Sequence, residues 1–166
     1  DSGIVATLAT SEGTRTVQAR LLAGADGTAS FVRSAFGIET EDVDYGQTAF
    51  VTTVMPQRDL AGCAYERFTA TGPVALLPLA DRRAGVVLTV PTGDAARVAA
   101  LDDGAFSALL HERVAYRLGR FSRPGRRVSY PLKRVLAQRL TAPRMALIGN
   151  AAQTLHPIGA QGFNLG

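Results

Sequence analysis

PRMALIGNAAQTLHPIGAQGFN, residues 143–164, decides how the rest of the chain is read. It opens as an apolar, strand-like run over 143–149, then breaks into a loop carrying Gly159 and Gly162 that opens a helix. A second stretch has the same form. In RLLAGADGTASFVR, residues 20–33, the apolar run Leu21-Leu22-Ala23 meets Gly24-Ala25-Asp26-Gly27. A buried strand ending in a glycine loop is how a sheet presents its strand ends to a ligand. The pair of junctions predicts that strands near 20 and near 147 share one sheet, with the intervening chain inserted as a block of different character.

Working outward, 3–9 and 14–24 read as a hairpin turning at Ser11-Glu12-Gly13. Residues 28–36 suit a short helix, with Thr28 as its cap and Gly37 at its end. The inserted block is β-rich. Strands are expected at 45–55, 62–70, 73–79 and 84–91, joined by short Pro, Gly and Asp loops that favour antiparallel neighbours. In 94–118 the spacing of Phe106, Leu109, Leu110 and Val114 becomes helical, and Gly104 is expected to divide the stretch into two helices. Residues 119–131 read as a second hairpin turning at Arg123-Pro124-Gly125, and 132–140 are ambiguous.

The 166 residues suffice for one domain or parts of two. With 46% apolar and 19% charged residues, the chain can bury a core and is not generally disordered. No apolar run approaches the roughly 18 residues of a membrane-spanning helix, and the start, DSGIVATLAT, has no signal-peptide pattern. The first residue is not Met, so the chain is expected to begin inside a longer protein. One cysteine, Cys63, excludes an internal disulfide framework and reads as a small core residue. Charge is uneven: residues 1–112 carry eight basic and all fourteen acidic residues, whereas 113–166 carry ten basic and none acidic. Such a stretch can be a solvated face or can attract anions. A non-enzymatic module binding anionic partners through 113–144 is therefore one reading. Without interleaved aromatics or a recognisable module, no nucleic-acid partner is expected.

Taken together, the two junctions resemble those of the class A flavoprotein monooxygenases of the para-hydroxybenzoate hydroxylase type. Asp26-Gly27 matches the family's Asp-Gly motif. Gly149-Asn150 with the loop from Pro157 to Gly162 matches its Gly-Asp motif. The match is closer to the ubiquinone-biosynthesis hydroxylases of the UbiH kind, which share Gly-Asn, Ala-Ala-Gln-Thr-Leu-His-Pro and Gln-Gly-Phe-Asn-Leu-Gly. Tyr65-Glu66-Arg67-Phe68-Thr69, Gly72-Pro73, Leu77-Pro78-Leu79, Arg117-Leu118-Gly119 and Tyr130-Pro131-Leu132 also fit this subgroup. Two departures stand out: Asn150 replaces the family's usual Asp, and Gly159-Ala160 replaces Ala-Gly.

The resemblance implies an α+β fold, α/β in the full protein. It comprises a mostly antiparallel β-sheet substrate domain with helices on one face, plus edge strands of an FAD-binding Rossmann-like domain. The expected boundaries are 1–38 for part of the FAD domain, 39–140 for the substrate domain, and 141–166 for the return to the FAD domain. The resemblance also implies FAD as cofactor, NAD(P)H and O2 as co-substrates and a flavin hydroperoxide mechanism. The implied substrate is a polyprenylated phenol of ubiquinone biosynthesis, with another aromatic substrate as the alternative. A cytoplasmic location is implied, with peripheral contact at the inner membrane or with a ubiquinone-synthesis complex. The family's strand–GxGxxG–helix, which holds the ADP half of FAD, has no match here. The chain is thus expected to be a fragment, inactive alone.

The cofactor residues implied are Asp26, Gly27, Arg33, Gly149, Asn150, Pro157, Gly159, Gln161, Gly162, Phe163 and Asn164. Asn150 keeps an acceptor oxygen for a ribityl or ribose hydroxyl while losing the Asp charge. Gly159 and Gly162 let backbone approach a ring or phosphate closely, and a helix start beyond them suits the pyrophosphate. Substrate contacts are expected from Tyr65, Arg67, Phe68 and Tyr130. Strand alternation lets only one of the sets Tyr65/Arg67 and Glu66/Phe68 face a given pocket. No catalytic side chain and no metal ligand is assigned. His156 reads as a loop histidine bonded to backbone, and His111 as a surface residue.

Overall fold

The computed structural model describes residues 3–158 and 161–165, with Phe163 described in its backbone alone. Gly159, a cofactor residue in the sequence reading, lies outside the described residues, as does the side chain of Phe163. The chain divides into two compact units, Asp1–Val43 with Lys133–Gly166, and Asp44–Leu132.

In the first unit, β1 (Ile4–Thr10) and β2 (Gly13–Ala19) form the expected hairpin, with Gly13 at φ +117°. β3 (Leu22–Gly24) pairs parallel with β11 (Met145–Leu147), Leu22 opposite Met145, and β10 (Thr141–Ala142) adds antiparallel to β11. The two apolar runs thus share a sheet, as their common form predicts. Their core joins Met145 and Leu147 to Ile38, Ala151 and Ala152. β12 (Gln153–Thr154) pairs with the later part of β9 (Val128–Ala137). The helix after the first loop, α1, is Phe31–Ala35 and starts two residues later than expected. Ser30 caps it, because its Oγ accepts from Arg33 N at 2.9 Å. Thr28 bonds the Thr154 hydroxyl instead, at 2.7 Å. Gly37 follows the helix at φ +59°.

The second unit is an antiparallel sheet with helices on one face. β4 (Thr40–Pro56) enters it and pairs with β7 (Ala84–Pro91); β7 pairs with β6 (Val74–Pro78), and β6 with the short β5 (Tyr65–Arg67). Phe50, Val54, Leu76, Val86, Leu88 and Val90 alternate onto one face, where they bury against Val98, Phe106 and Leu110 of two helices. Each such side chain stabilises by about 1.5–3 kcal/mol when fully buried. β5 is shorter than the expected 62–70, because Ala61 and Gly62 turn at positive φ and Thr69 Oγ closes a turn onto Gly72 O at 2.6 Å.

Two expectations are corrected here. The helices are α2 (Ala95–Ala99) and α3 (Asp103–Val114), and the break precedes Asp103 rather than falling at Gly104. Asp102 sets it by accepting from Ala105 N at 2.7 Å, which leaves Gly104 inside the first turn. Nor do 119–131 fold as a hairpin on themselves. β8 (Phe121–Ser122) pairs with β4, and Gly125 is fastened to β4 by Gly125 N to Thr53 O at 2.8 Å and Thr52 Oγ1 to Gly125 O at 2.9 Å. A Cβ on Gly125 would lie 2.8 Å from Thr53 Oγ1, so only glycine allows this approach.

The basic stretch does not form a uniform free face. Arg127 donates to Leu101 O and pairs with Asp103, Arg134 pairs with Glu41, Arg139 donates to Phe36 O and Arg144 to Arg20 O. Among the described residues no helix is long and apolar enough to cross a membrane.

Candidate functional site

The parallel β3–β11 pair ends at two loops, 25–30 and 148–154. Gly24 is buried where they begin; a Cβ there would come within 2.9 Å of Leu147 Cδ2 and Val32 Cγ1. Ile148 N donates to Gly24 O at 2.9 Å, continuing the pairing to the loop mouth.

Asp26 is locked into the first loop. Ser30 Oγ donates to its Oδ1 at 2.5 Å, and Val32 N to its Oδ2 at 3.0 Å. These bonds favour the charged form. The Ser30 hydroxyl holds the Asp26 carboxyl below its ordinary range; burial opposes it, and the backbone N–H groups of Val32, Asp26 and Phe31 add to the lowering. Ser30 therefore does two jobs: it caps α1 and orients Asp26.

Arg33 joins the loops. It is only 8% exposed, and it donates from Nη1 to Ala151 O at 2.9 Å and from Nη2 to Thr28 O at 2.8 Å. Among the described residues no carboxylate pairs with it. A buried guanidinium satisfied by carbonyls from both loops acts as a clasp. The Thr28–Thr154 hydroxyl bond spans the same junction.

On the second loop Gly149 sits at φ +58° with nothing within 4 Å of where a Cβ would be, and it starts a tight turn closed by Ala152 N to Gly149 O at 3.0 Å. Gly27 shows the same combination at φ +84°. Asn150 is exposed. His156 Nδ1 accepts from Ile158 N at 3.1 Å, so this ring fastens the backbone around the exposed Pro157. A single turn of helix, α4, covers Gly162–Leu165, with Leu165 N to Gln161 O at 3.1 Å and Asn164 Nδ2 to Gln161 Oε1 at 3.4 Å.

An FAD binding domain family model matches residues 1–166. The chain belongs to that family. Among curated relatives, the ubiquinone hydroxylase UbiL of Rhodospirillum rubrum is 42% identical over 164 residues, covering 99% of this chain and 38% of the relative. The ubiquinone hydroxylase UbiM of Neisseria meningitidis is 36% identical over 155 residues, covering 93% of this chain and 34% of the relative. The chain thus spans less than two fifths of the length of these relatives. Among solved structures, the flavin-dependent halogenase CmlS superposes with a TM-score of 0.80 at 20% identity, over 99% of this chain and 31% of that one; this is a likeness of fold.

Within this FAD-binding family member, the structure brings Asp26, Gly27 and Arg33 together with the 149–154 loop through the Arg33 bonds. Ser30, Thr28 and Thr154 complete the junction; from sequence Thr28 reads only as a helix cap, and Ser30 and Thr154 are not singled out. The signal for Ser30 was its spacing, four residues after Asp26 and three before Arg33, which is that of an N-cap also able to reach the loop carboxylate. In the second unit Tyr65 and Arg67 line one cavity, while Phe68 and Tyr130 are exposed and are not among its walls.

Proposed function

We propose that the two clasped loops form part of an FAD site, and that the full-length protein is an FAD-dependent aromatic hydroxylase. In this reading it uses NAD(P)H and O2 to hydroxylate a polyprenylated phenol in ubiquinone biosynthesis. The observation that carries the cofactor assignment is the Arg33 clasp. A buried cation is spent on holding two glycine-bearing strand ends side by side, the position at which sheets of this kind receive ligands.

The residues present fit FAD. Gly149 and Gly27 leave open space where a side chain would project, so backbone N–H groups can approach a large planar or phosphate-bearing ligand. Asp26 has its oxygens engaged by Ser30 and Val32, which tempers its charge beside a pyrophosphate. Asn150 offers an exposed amide to a ribityl or ribose hydroxyl. Pro157, Gly159, Gln161, Gly162, Phe163 and Asn164 are assigned to the loop that follows the flavin edge. FAD, when bound, supplies the oxygen-transfer chemistry. The chain's own residues bind and orient: Arg33 fixes the spacing of the loops, Ser30 aims Asp26, and His156 shapes the turn at Pro157.

The 44–132 unit supplies the substrate surface in this proposal. Its helix-free sheet face exposes Val51 and Leu77 beside Ala75 and Val87, an apolar surface suited to a prenyl chain. Phe68 and Tyr130 are the exposed aromatics assigned to the phenol. A prenylated substrate resides in the bilayer, so peripheral contact with a membrane surface or a ubiquinone-synthesis complex belongs to the same proposal. The names of the curated relatives, ubiquinone hydroxylases, support this substrate class.

The test is turnover by the full-length protein with FAD, NADPH, isotopically labelled O2 and a short-chain prenylated phenol. The reading expects a product heavier by one labelled oxygen atom. Reductant oxidation without a labelled product would overturn the substrate assignment, and failure to retain FAD would overturn the cofactor assignment.

A further inference from the structure

The 44–132 unit holds a second concavity, on the helix-covered side of its sheet. It has a volume of about 210 Å³. Its floor is apolar, from Val74, Leu76, Val114 and Leu118, and Tyr65 forms a wall. Its rim is cationic. The Arg117 guanidinium stands 5.3 Å over the Tyr65 ring, and among the described residues its donors have no protein acceptor. Arg67 Nη1 donates to Arg113 O at 3.1 Å, at the end of α3, which fixes its guanidinium at the rim and caps the helix carbonyls. Arg113 is not a lining residue; it donates Nη1 to Thr69 Oγ1 at 3.2 Å, while its Nε is shielded from solvent without a partner.

None of these three arginines forms an ion pair with a carboxylate among the described residues. The one acid at the cavity, Glu66, lies between Tyr65 and Arg67 in β5, so strand alternation turns its side chain to the opposite sheet face. Arg67 and Arg117 are exposed at the rim, so an oxyanion that displaces their water meets two guanidinium groups that no carboxylate already occupies. Tyr65 and the floor provide for an apolar body next to the anionic group.

We infer that this cavity is a binding site for a small oxyanion-headed ligand with an apolar body. The carboxylate or phosphate head engages Arg117 and Arg67, and the body lies against Tyr65, Leu76 and Leu118. Its volume lies below the roughly 300 Å³ at which drug-sized ligand pockets begin, so the body is short. Guanidinium binds carboxylate and phosphate in the same bidentate manner, so the head group is decided by experiment. The inference is independent of the hydroxylase reading.

The experiment is calorimetric titration of the full-length, flavin-loaded protein with hexanoate, butyl phosphate and inorganic phosphate, repeated on Arg117→Gln and Arg67→Gln. The flavin absorption spectrum and thermal midpoint serve as checks of fold. Binding of hexanoate or butyl phosphate that weakens roughly tenfold or more in Arg117→Gln, as loss of a charged hydrogen bond requires, supports the site. The tighter of the two identifies the head group. Three results would overturn it: neither tailed anion binding at millimolar concentration, equal binding to both variants and the wild type, or inorganic phosphate binding as tightly as the tailed anions. Arg117 is exposed, so Arg117→Gln leaves the core intact; Arg67→Gln also removes the α3 cap and is read against its own thermal midpoint.

Discussion

Arg33 and Ala151 are 118 positions apart, yet the Arg33 guanidinium donates to the Ala151 carbonyl at 2.9 Å from a buried position. The same guanidinium reaches Thr28 O, so one side chain fixes both loops at the end of the β3–β11 pair. Replacing Arg33 with Met keeps the aliphatic stem and removes both bonds. Two charge-assisted bonds to carbonyls, at about 1.5–3 kcal/mol each, set the expected loss at about 3–6 kcal/mol. A urea midpoint lowered with an unchanged slope is the expected readout. An unchanged midpoint would mean that the clasp carries no stability.

Ser30 serves both the helix and Asp26, and Ser30→Ala removes both bonds. Cap loss costs about 1 kcal/mol, with about 2 as the upper range. The double-mutant cycle with Asp26→Asn is expected to show coupling, because the residues share a 2.5 Å bond. Additive losses in chemical denaturation would contradict the shared role.

Asp26 gives a pH signature. Its folded-state carboxyl titrates below the ordinary range, chiefly through the Ser30 hydroxyl. The stability it contributes is therefore fully present above the unfolded value, about 3.9, and is lost as pH falls through the folded value. The stability gap between wild type and Asp26→Asn is expected to stay constant from neutral pH into mild acid and to close only below that range. Closure near neutrality would contradict the assigned bonds.

The two loop glycines separate packing from ligand approach. Gly24→Ala places a Cβ within 2.9 Å of Leu147 and Val32, an overpacking expected to cost about 1–3 kcal/mol. Gly149→Ala meets no atom and carries only the cost of positive φ, about 1–2 kcal/mol. Thermal unfolding of the pair is expected to show the larger loss at Gly24, and equal losses would contradict the packing described for it.

Much of this arrangement was legible in sequence because it is written locally. Leu21-Leu22-Ala23 and Met145-Ala146-Leu147 each run into a glycine loop, and that shared form predicts the parallel pair. The parity of Tyr65 and Arg67 in β5 likewise follows from alternation. What was missed depends on partners distant in sequence. Arg123-Pro124-Gly125 has the composition of a hairpin turn, but Thr52 and Thr53 capture Gly125, so the segment lies on β4. Gly104 reads as a helix break because glycine weakens helices, yet the Asp102 carboxylate capping Ala105 N sets the boundary two residues earlier. Thr28 and Ser30 are both plausible caps by type, and the Thr28–Thr154 bond, visible only in the fold, leaves the role to Ser30.

The most direct test of the central claim, that the loops clasped by Arg33 receive FAD, is the FAD dissociation constant of the full-length protein with Gly149→Ala. The open space above Gly149 is where the account places the cofactor, so the added methyl is expected to weaken FAD binding roughly tenfold or more through overpacking against the ligand, beyond its modest effect on stability. An FAD affinity equal to that of the wild type, in a protein that remains folded, would contradict the assignment of this loop.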